Sequence, residues 1–198
     1  MTEDLAPPAA TVSTFGPPIA PAIPAVRLLG AGFLSRANLA VGWSLSWRVG
    51  LANGLVSGAL AGALRLARGS VTPDLADRLA LAAATTVAGL LVTDWAGRRI
   101  ARRRYGLVID RFVGWAITWR EGVAGLAWAS AAGVVIAAAV ISIHLAVGGE
   151  AARTLTKAVL VLCLPGAIVL AVAGGGWAAH RVFAHQRAAA TGPPAAAP

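Results

Sequence analysis

Residues 50–62 read GLANGLVSGALAG, and this stretch decides how the chain folds. Its four glycines, Gly50, Gly54, Gly58 and Gly62, recur at every fourth position within an apolar run. On an α-helix this spacing keeps them near one face, where they form a groove without side chains along roughly 18 Å of helix. In water each interior glycine costs about 1 kcal/mol relative to alanine. In a bilayer, small residues at this spacing let helices pack closely, so the stretch predicts a membrane helix with a packing groove.

The composition of the whole chain also indicates a membrane protein. Of its 198 residues 58% are hydrophobic and 13% are charged, and the mean hydropathy is +0.72. A soluble domain is about 45–50% apolar and about 25% charged. The net charge of +9 would suggest nucleic-acid binding in a soluble protein. Here the basic residues flank apolar runs, so we predict that they set the orientation in the membrane and that the chain binds no nucleic acid.

Four apolar runs are long enough to cross a bilayer, which takes about 20 residues. They lie at about 49–66, 79–97, 122–147 and 158–177. Residues 1–26 and 188–198 are rich in proline and alanine and predict disordered tails. The segment Thr72-Pro73-Asp74 predicts the start of the second helix with Thr72 as N-cap, and Gly106 predicts its end.

Lysine and arginine are distributed unevenly between the two sides of these runs. Twelve of them flank the side that holds both termini and the connection between the second and third runs, and five flank the other side. Cytoplasmic loops of membrane proteins carry the excess of basic residues. We therefore predict a multi-pass protein of the bacterial inner membrane with both termini in the cytoplasm.

A ten-residue segment occurs twice in the chain. Residues 41–50, VGWSLSWRVG, match residues 113–122, VGWAITWREG, at six of ten positions. A weaker match, between the segments that begin at Trp95 and Trp177, follows the second and fourth runs in the same order. We therefore predict an all-α integral membrane protein whose four transmembrane helices form two parallel-topology helical-hairpin repeats, at 27–106 and 107–187.

Tryptophan and arginine gather at the predicted cytoplasmic boundary. The members of this set are Trp43, Trp47, Arg48, Trp115, Trp119, Arg120, Arg98, Arg99, Arg102, Arg103 and Arg104. Interfacial tryptophan anchors a helix at its depth, and basic clusters attract anionic lipid by about 1 kcal/mol per residue. Two interpretations stay open: a binding site for anionic lipid head groups, or anchors and orientation signals only.

Polar side chains within the apolar runs are few. Asp94 lies four residues before Arg98, in the favourable acid-first order, which predicts an ion pair at the interface. A functional role of this intramembrane acid is the alternative, and Glu121 beside Arg120 has the same two interpretations. The weakly polar residues are predicted to bridge helices; they are Asn53, Ser57, Thr85, Thr86 and Thr93. We keep a proton-relay role for His144 only as a minor alternative.

No catalytic motif is present in the sequence, so we predict a protein that is not an enzyme and needs no cofactor. The single cysteine, Cys163, provides neither a disulfide framework nor a cysteine-based metal site. The second repeat carries a milder small-residue stripe that includes Gly125 and Gly133. We expect a non-catalytic assembly or scaffold subunit that packs through its glycines against a second copy or another membrane protein. A small transporter or channel built from the duplicated hairpins is the alternative.

Overall fold

The chain folds into four long helices in the computed structural model, which describes residues 20–30, 32–68 and 74–191. Helix α1 comprises Arg36–Arg68, α2 Leu75–Tyr105, α3 Gly114–Ala146 and α4 Gly149–Thr191. All four are long and apolar enough to cross a membrane. The prediction of an all-helical chain with four candidate spans is therefore confirmed, and each helix begins before the apolar run that predicted it.

The ends of α2 follow local sequence signals. Asp74 is the N-cap, and its carboxylate accepts a hydrogen bond from the Asp77 N–H at 2.8 Å while the Asp77 carboxylate accepts one from the Asp74 N–H. The predicted cap, Thr72, lies outside the described residues, and its assignment as the cap was wrong because the reciprocal carboxylate pair starts the helix two residues later. At the other end Gly106 adopts the left-handed conformation with φ of 61°, which confirms the predicted end of the helix.

The four helices form a ring in which each helix packs against two neighbours. α1 contacts α2 and α4, and α3 contacts the same two helices. Adjacent helices are antiparallel, so the N-terminal parts of α1 and α3 meet the C-terminal parts of α2 and α4. We call this region the packed half; it contains residues 33–45, 89–105, 113–124 and 172–183, and it holds nearly all buried residues of the described chain.

The core of the packed half is apolar and closely filled. Its largest buried apolar side chains include Phe33, Val41, Ile117 and Phe183, each of which contributes about 1.5–3 kcal/mol on burial. The opposite half differs: no residue is buried in the most apolar 18-residue windows of α1 and α3. A helix that is apolar on all sides and yet uncovered is typical of a membrane span.

The segment before α1 lies against the packed half. Val26 is buried, Ile23 packs against the core, and Arg187 donates a hydrogen bond to the Pro21 carbonyl at 2.8 Å. Residues 20–26 were predicted to be part of a disordered tail, but the side chains of Ile23 and Val26 cover the core. Residues 1–19 and 192–198 lie outside the described residues, and 188–191 continue α4.

Candidate functional site

Asp94 holds two helices together in the packed half. One carboxylate oxygen, Oδ1, accepts hydrogen bonds from the backbone N–H groups of Val113 at 2.6 Å and of Gly114 at 3.2 Å. The other oxygen, Oδ2, forms an ion pair with Arg98, so the predicted pair is confirmed. The carboxylate thus caps the N-terminus of α3 from α2, where it also meets the positive end of the helix dipole. The sequence did not predict this cap. Its one signal is that the start of α3 at Val113-Gly114 has no side chain able to cap the helix.

A chain of buried polar groups joins α1, α4 and α2. The Asn38 Nδ2 group donates to the carbonyls of Phe33 at 2.7 Å and Ala173 at 2.9 Å. Its Oδ1 therefore accepts from Nδ1 of His180 at 3.0 Å, and Nε2 of His180 lies 2.6 Å from the Tyr105 hydroxyl. A neutral imidazole satisfies every one of these bonds, with Nδ1 protonated and Nε2 accepting from Tyr105. Satisfied buried polar chains of this kind fix one helix arrangement.

Arginines from two helices surround a cavity beside this core. Arg48 of α1 and Arg99, Arg103 and Arg104 of α2 line it together with Ser44, and its volume is about 180 Å³. A second cavity of about 590 Å³ adjoins it on α2. The residues around the second cavity are Trp95, Arg98, Arg99, Arg102, Arg103, Leu107, Val108 and Ile109. The structure therefore brings Arg48 together with the Arg98–Arg104 cluster, and no spacing in the sequence predicts this contact.

Exposed tryptophans accompany these arginines. Trp43 and Trp115 are 60% and 61% exposed, and Trp47 and Trp119 are also exposed. The guanidinium of Arg48 lies 4.6 Å from the ring centre of Trp47, and that of Arg99 lies 5.4 Å from Trp95. A cation over an indole face is an attractive arrangement. The surface therefore combines positive charge with amphipathic rings, and it can neutralise phosphate groups.

The second repeat element does not join this basic surface. Arg120 of α3 donates a hydrogen bond to the Ala116 carbonyl of its own helix at 3.1 Å. It lines neither of the two arginine-lined cavities. Trp115 and Trp119 are exposed on the same helix, so the Trp-Arg set named from the sequence forms two separate surfaces.

The glycines that pack helices within the chain are not those of the predicted stripe. A Cβ atom on Gly50, Gly54, Gly58 or Gly62 would meet nothing within 4 Å, and the same holds for Gly125 and Gly133. A Cβ on Gly42 would overlap the Val172 carbonyl of α4, and one on Gly114 would overlap the Leu90 carbonyl of α2. The closest helix approaches therefore use Gly42 and Gly114, near the start of each repeat element, and Gly176 of α4, where a Cβ would overlap the Asn38 carbonyl.

Four of the five weakly polar residues named from the sequence line one cavity, and Ser57 does not. Asn53, Thr85, Thr86, Thr93, Thr118 and Glu121 surround it together with Val49, Gly89 and Leu90, and its volume is about 230 Å³. Thr85 and Thr86 were predicted to bridge helices, but each donates its hydroxyl hydrogen to a carbonyl of its own helix, at Leu81 and Ala82. This bond is available to any threonine in a helix. His144 lies apart from the cavity, is exposed and contacts the Val140 carbonyl of its own helix.

Comparison of the chain with known protein families, with curated proteins and with solved structures gave no match. The class of the protein is therefore inferred from its structure alone. Four candidate membrane-spanning helices with uncovered apolar halves suggest a multi-pass membrane protein.

Proposed function

We propose that the protein is a non-catalytic assembly or scaffold subunit of the bacterial inner membrane, and that the glycine stripe of α1 binds a second copy or another membrane protein. The observation that carries the proposal is the open space at Gly50, Gly54, Gly58 and Gly62. These glycines serve no helix contact within the described chain. In a bilayer, such a stripe admits the backbone of a second helix at close range.

The stripe lies on the outer side of α1. Val49 and Asn53 face Gly89 of α2, and Gly50 and Gly54 each follow one residue later in the chain. One residue corresponds to about 100° around the helix axis. The stripe is therefore turned away from α2, where a partner can reach it without displacing any helix of the ring.

The double substitution Gly54→Ile with Gly58→Ile tests this role. We expect loss of the oligomer, or of the co-purifying partner, because two branched side chains would fill the groove. The fold should be kept, because both positions are open within the chain. The measurement is native mass spectrometry or size-exclusion chromatography in mild detergent, with thermal unfolding as a check of the fold.

Two variants control this experiment. Gly166→Ile, at an open position of α4 outside the stripe, should leave the assembly intact. Gly42→Ala should disturb the fold itself, because its methyl group would overlap the Val172 carbonyl. An unchanged oligomer in the Gly54→Ile, Gly58→Ile variant would contradict the proposed packing role.

The basic, tryptophan-lined surface is proposed to bind anionic lipid head groups. Four guanidinium groups surround the smaller cavity between α1 and α2, and no carboxylate lines it. Arginine recognises phosphate by paired hydrogen bonds. The adjoining indole rings of Trp47 and Trp95 suit the interfacial region of a bilayer.

Replacement of Arg48 and Arg103 by glutamine should weaken this lipid binding. We expect a several-fold loss of retained phosphatidylglycerol relative to phosphatidylcholine, since each basic residue contributes about 1 kcal/mol near an anionic surface. Native mass spectrometry from mixed micelles measures the retained lipid. Arg65→Gln with Arg153→Gln, an equal change of charge on the opposite side, should have little effect. Equal losses in both double variants would indicate general charge attraction in place of a site.

The two helical hairpins are proposed to be duplicates. Gly42 and Gly114, which correspond in the two repeat elements, each approach a carbonyl of an even-numbered helix, at Val172 and Leu90. Val172 follows Leu90 by the same number of residues as Trp177 follows Trp95, so the two carbonyls also correspond in the repeat. Arg48 and Arg120 each donate to the carbonyl four residues earlier. These paired contacts support two hairpins of like orientation about an axis along the bundle.

A small transporter or channel is the second candidate function. It is favoured by the polar cavity around Glu121, which lies among α1, α2 and α3. Flux of a cation into liposomes that depends on Glu121 would support this function over a purely structural one.

A further inference from the structure

We propose that the cavity lined by Asn53, Thr85, Thr86, Thr93, Thr118 and Glu121 binds a small monovalent cation, with the Glu121 carboxylate as its counter-charge. The cavity lies at the edge of the packed half, and three helices contribute polar atoms to it. This site is separate from the glycine stripe and from the arginine-lined surface. It therefore stands independently of the scaffold role.

The cavity lining offers acceptors in excess of donors. Thr85 and Thr86 donate their hydroxyl hydrogens to the carbonyls of Leu81 and Ala82, so only the oxygen lone pairs remain for a ligand. The Asn53 Oδ1 atom is buried and accepts no hydrogen bond. Buried oxygen atoms without donors favour a ligand that brings positive charge or N–H groups.

The carboxylate of Glu121 lacks a counter-charge. No hydrogen bond or ion pair reaches it within the described parts of the chain. The neighbouring Arg120 directs its guanidinium to the Ala116 carbonyl, and Asp94 is paired with Arg98. An unpaired charge among membrane helices is unfavourable, and such residues face a partner or a water-filled cavity. A bound cation would supply the missing charge.

The backbone of α4 makes room for this carboxylate. A Cβ atom on Gly175 would lie 3.1 Å from Glu121 Oε1, so a side chain at this position would press on the carboxylate. No side chain of α4 lines the cavity. Glu121 is consequently held against a glycine backbone, and no basic group from the fourth helix lines the cavity.

The number of carboxylates selects the charge of the ligand. Glu121 is the only acid that lines the cavity, and no group of three or more His, Cys, Asp or Glu side chains occurs in the described residues. Divalent Ca²⁺ and Mg²⁺ favour several carboxylate ligands or phosphate. A volume of about 230 Å³ holds a partly hydrated alkali ion or a small alkylammonium ion.

Thermal unfolding of the full-length protein in phosphatidylcholine nanodiscs at pH 8 tests this site. N-methyl-D-glucamine chloride is replaced stepwise by NaCl, KCl or methylammonium chloride at constant ionic strength. We expect at least one of the three small cations to raise Tm by several degrees with saturation, because a ligand of the native state stabilises that state by mass action. Comparison of NaCl and KCl with methylammonium chloride distinguishes an alkali ion from an ammonium group.

Two variants assign the response to the cavity. Glu121→Gln keeps the shape of the side chain and removes its charge, and it should abolish the rise in Tm. Glu150→Gln removes an exposed carboxylate near the start of α4 and should leave the rise unchanged. A direct measurement of bound ²²Na⁺, ⁸⁶Rb⁺ or ¹⁴C-methylammonium by scintillation proximity should give one cation per chain, and Asn53→Ala should weaken this binding several-fold.

The proposal is overturned if none of the small cations stabilises the protein more than N-methyl-D-glucamine does. It is also overturned if Glu121→Gln retains the response, or if Glu150→Gln loses it to the same extent. The Gly54→Ile, Gly58→Ile variant should respond to cations as the wild type does. Loss of assembly and loss of cation binding are thereby measured separately.

Discussion

The Asp94 carboxylate contacts two helices through its two oxygen atoms. Its ion pair with Arg98 could be predicted from the sequence, because partners four residues apart on a helix are neighbours. Its hydrogen bonds to Val113 and Gly114 could not, because no spacing rule relates residues 19 and 20 positions apart. The local signal was indirect: α3 begins without a capping side chain of its own.

Substitutions of Asp94 should separate its two contacts. Asp94→Asn retains a side-chain oxygen for the cap and loses the ion pair, so we expect a small loss of stability. Asp94→Ala leaves two buried N–H groups without an acceptor and should cost about 1–3 kcal/mol. Unfolding of the purified protein in detergent by heat or denaturant measures both. Asp110→Ala, at an exposed acid before α3, is the control, and an Asp94→Ala protein as stable as wild type would contradict the capping role.

The Asn38–His180 contact was not predictable from the sequence. The two residues are 142 positions apart, and each has an ordinary local environment in the sequence, near a helix start and beside a cluster of basic residues. In the sequence His180 stands beside Arg181 after the fourth apolar run, where no spacing indicates a partner. The structure instead buries its imidazole between Asn38 and Tyr105, where its role is to join three helices.

At the scale of the helices, α1 carries two sets of glycines with different surroundings. Gly42 meets the backbone of α4, whereas the stripe from Gly50 to Gly62 meets no other part of the described chain. The spacing of four identified a face of the helix, but spacing alone does not say which neighbour that face has. The helix turns about 80° between Gly42 and Gly50, so the stripe leaves the side that α4 covers.

The start of each repeat element was a better guide to the packing within the chain than the stripe was. Val41 and Val113, and Leu45 and Ile117, correspond in the two elements, and all four side chains are buried. The tryptophans between them are exposed. The two elements therefore have the same inner and outer faces near the N-termini of α1 and α3. The opposite burial of Trp95 and Trp177, by contrast, depends on the neighbours of each helix and required the structure.

At the scale of the whole molecule, most of the basic residues lie at one side. The arginines around the two basic cavities lie in or next to the packed half, and the segment before α1 and the last turns of α4 lie against it. The opposite half presents apolar side chains on its surface. The count of lysines and arginines in the sequence predicts the same two sides, because antiparallel helices return every second connection to the same side.

Both termini are expected in the cytoplasm. Fusions of green fluorescent protein and of alkaline phosphatase at either terminus should give fluorescence and no phosphatase activity, since cytoplasmic loops carry the excess of basic residues. An insertion of the phosphatase after Gly69, between α1 and α2, should give the opposite result. Phosphatase activity at the C-terminus would contradict both the orientation and the proposal of two like-oriented hairpins.

The buried bonds between the first and last helices have a consequence for biosynthesis. Asn38 is synthesised early, whereas its partners Ala173 and His180 emerge from the ribosome only near the end of translation. Until then the Asn38 amide and the α1 surface around Gly42 lack the groups that cover them. We therefore expect ring closure to be a late event that waits for α4, and we expect the nascent three-helix chain to have an incomplete packed half.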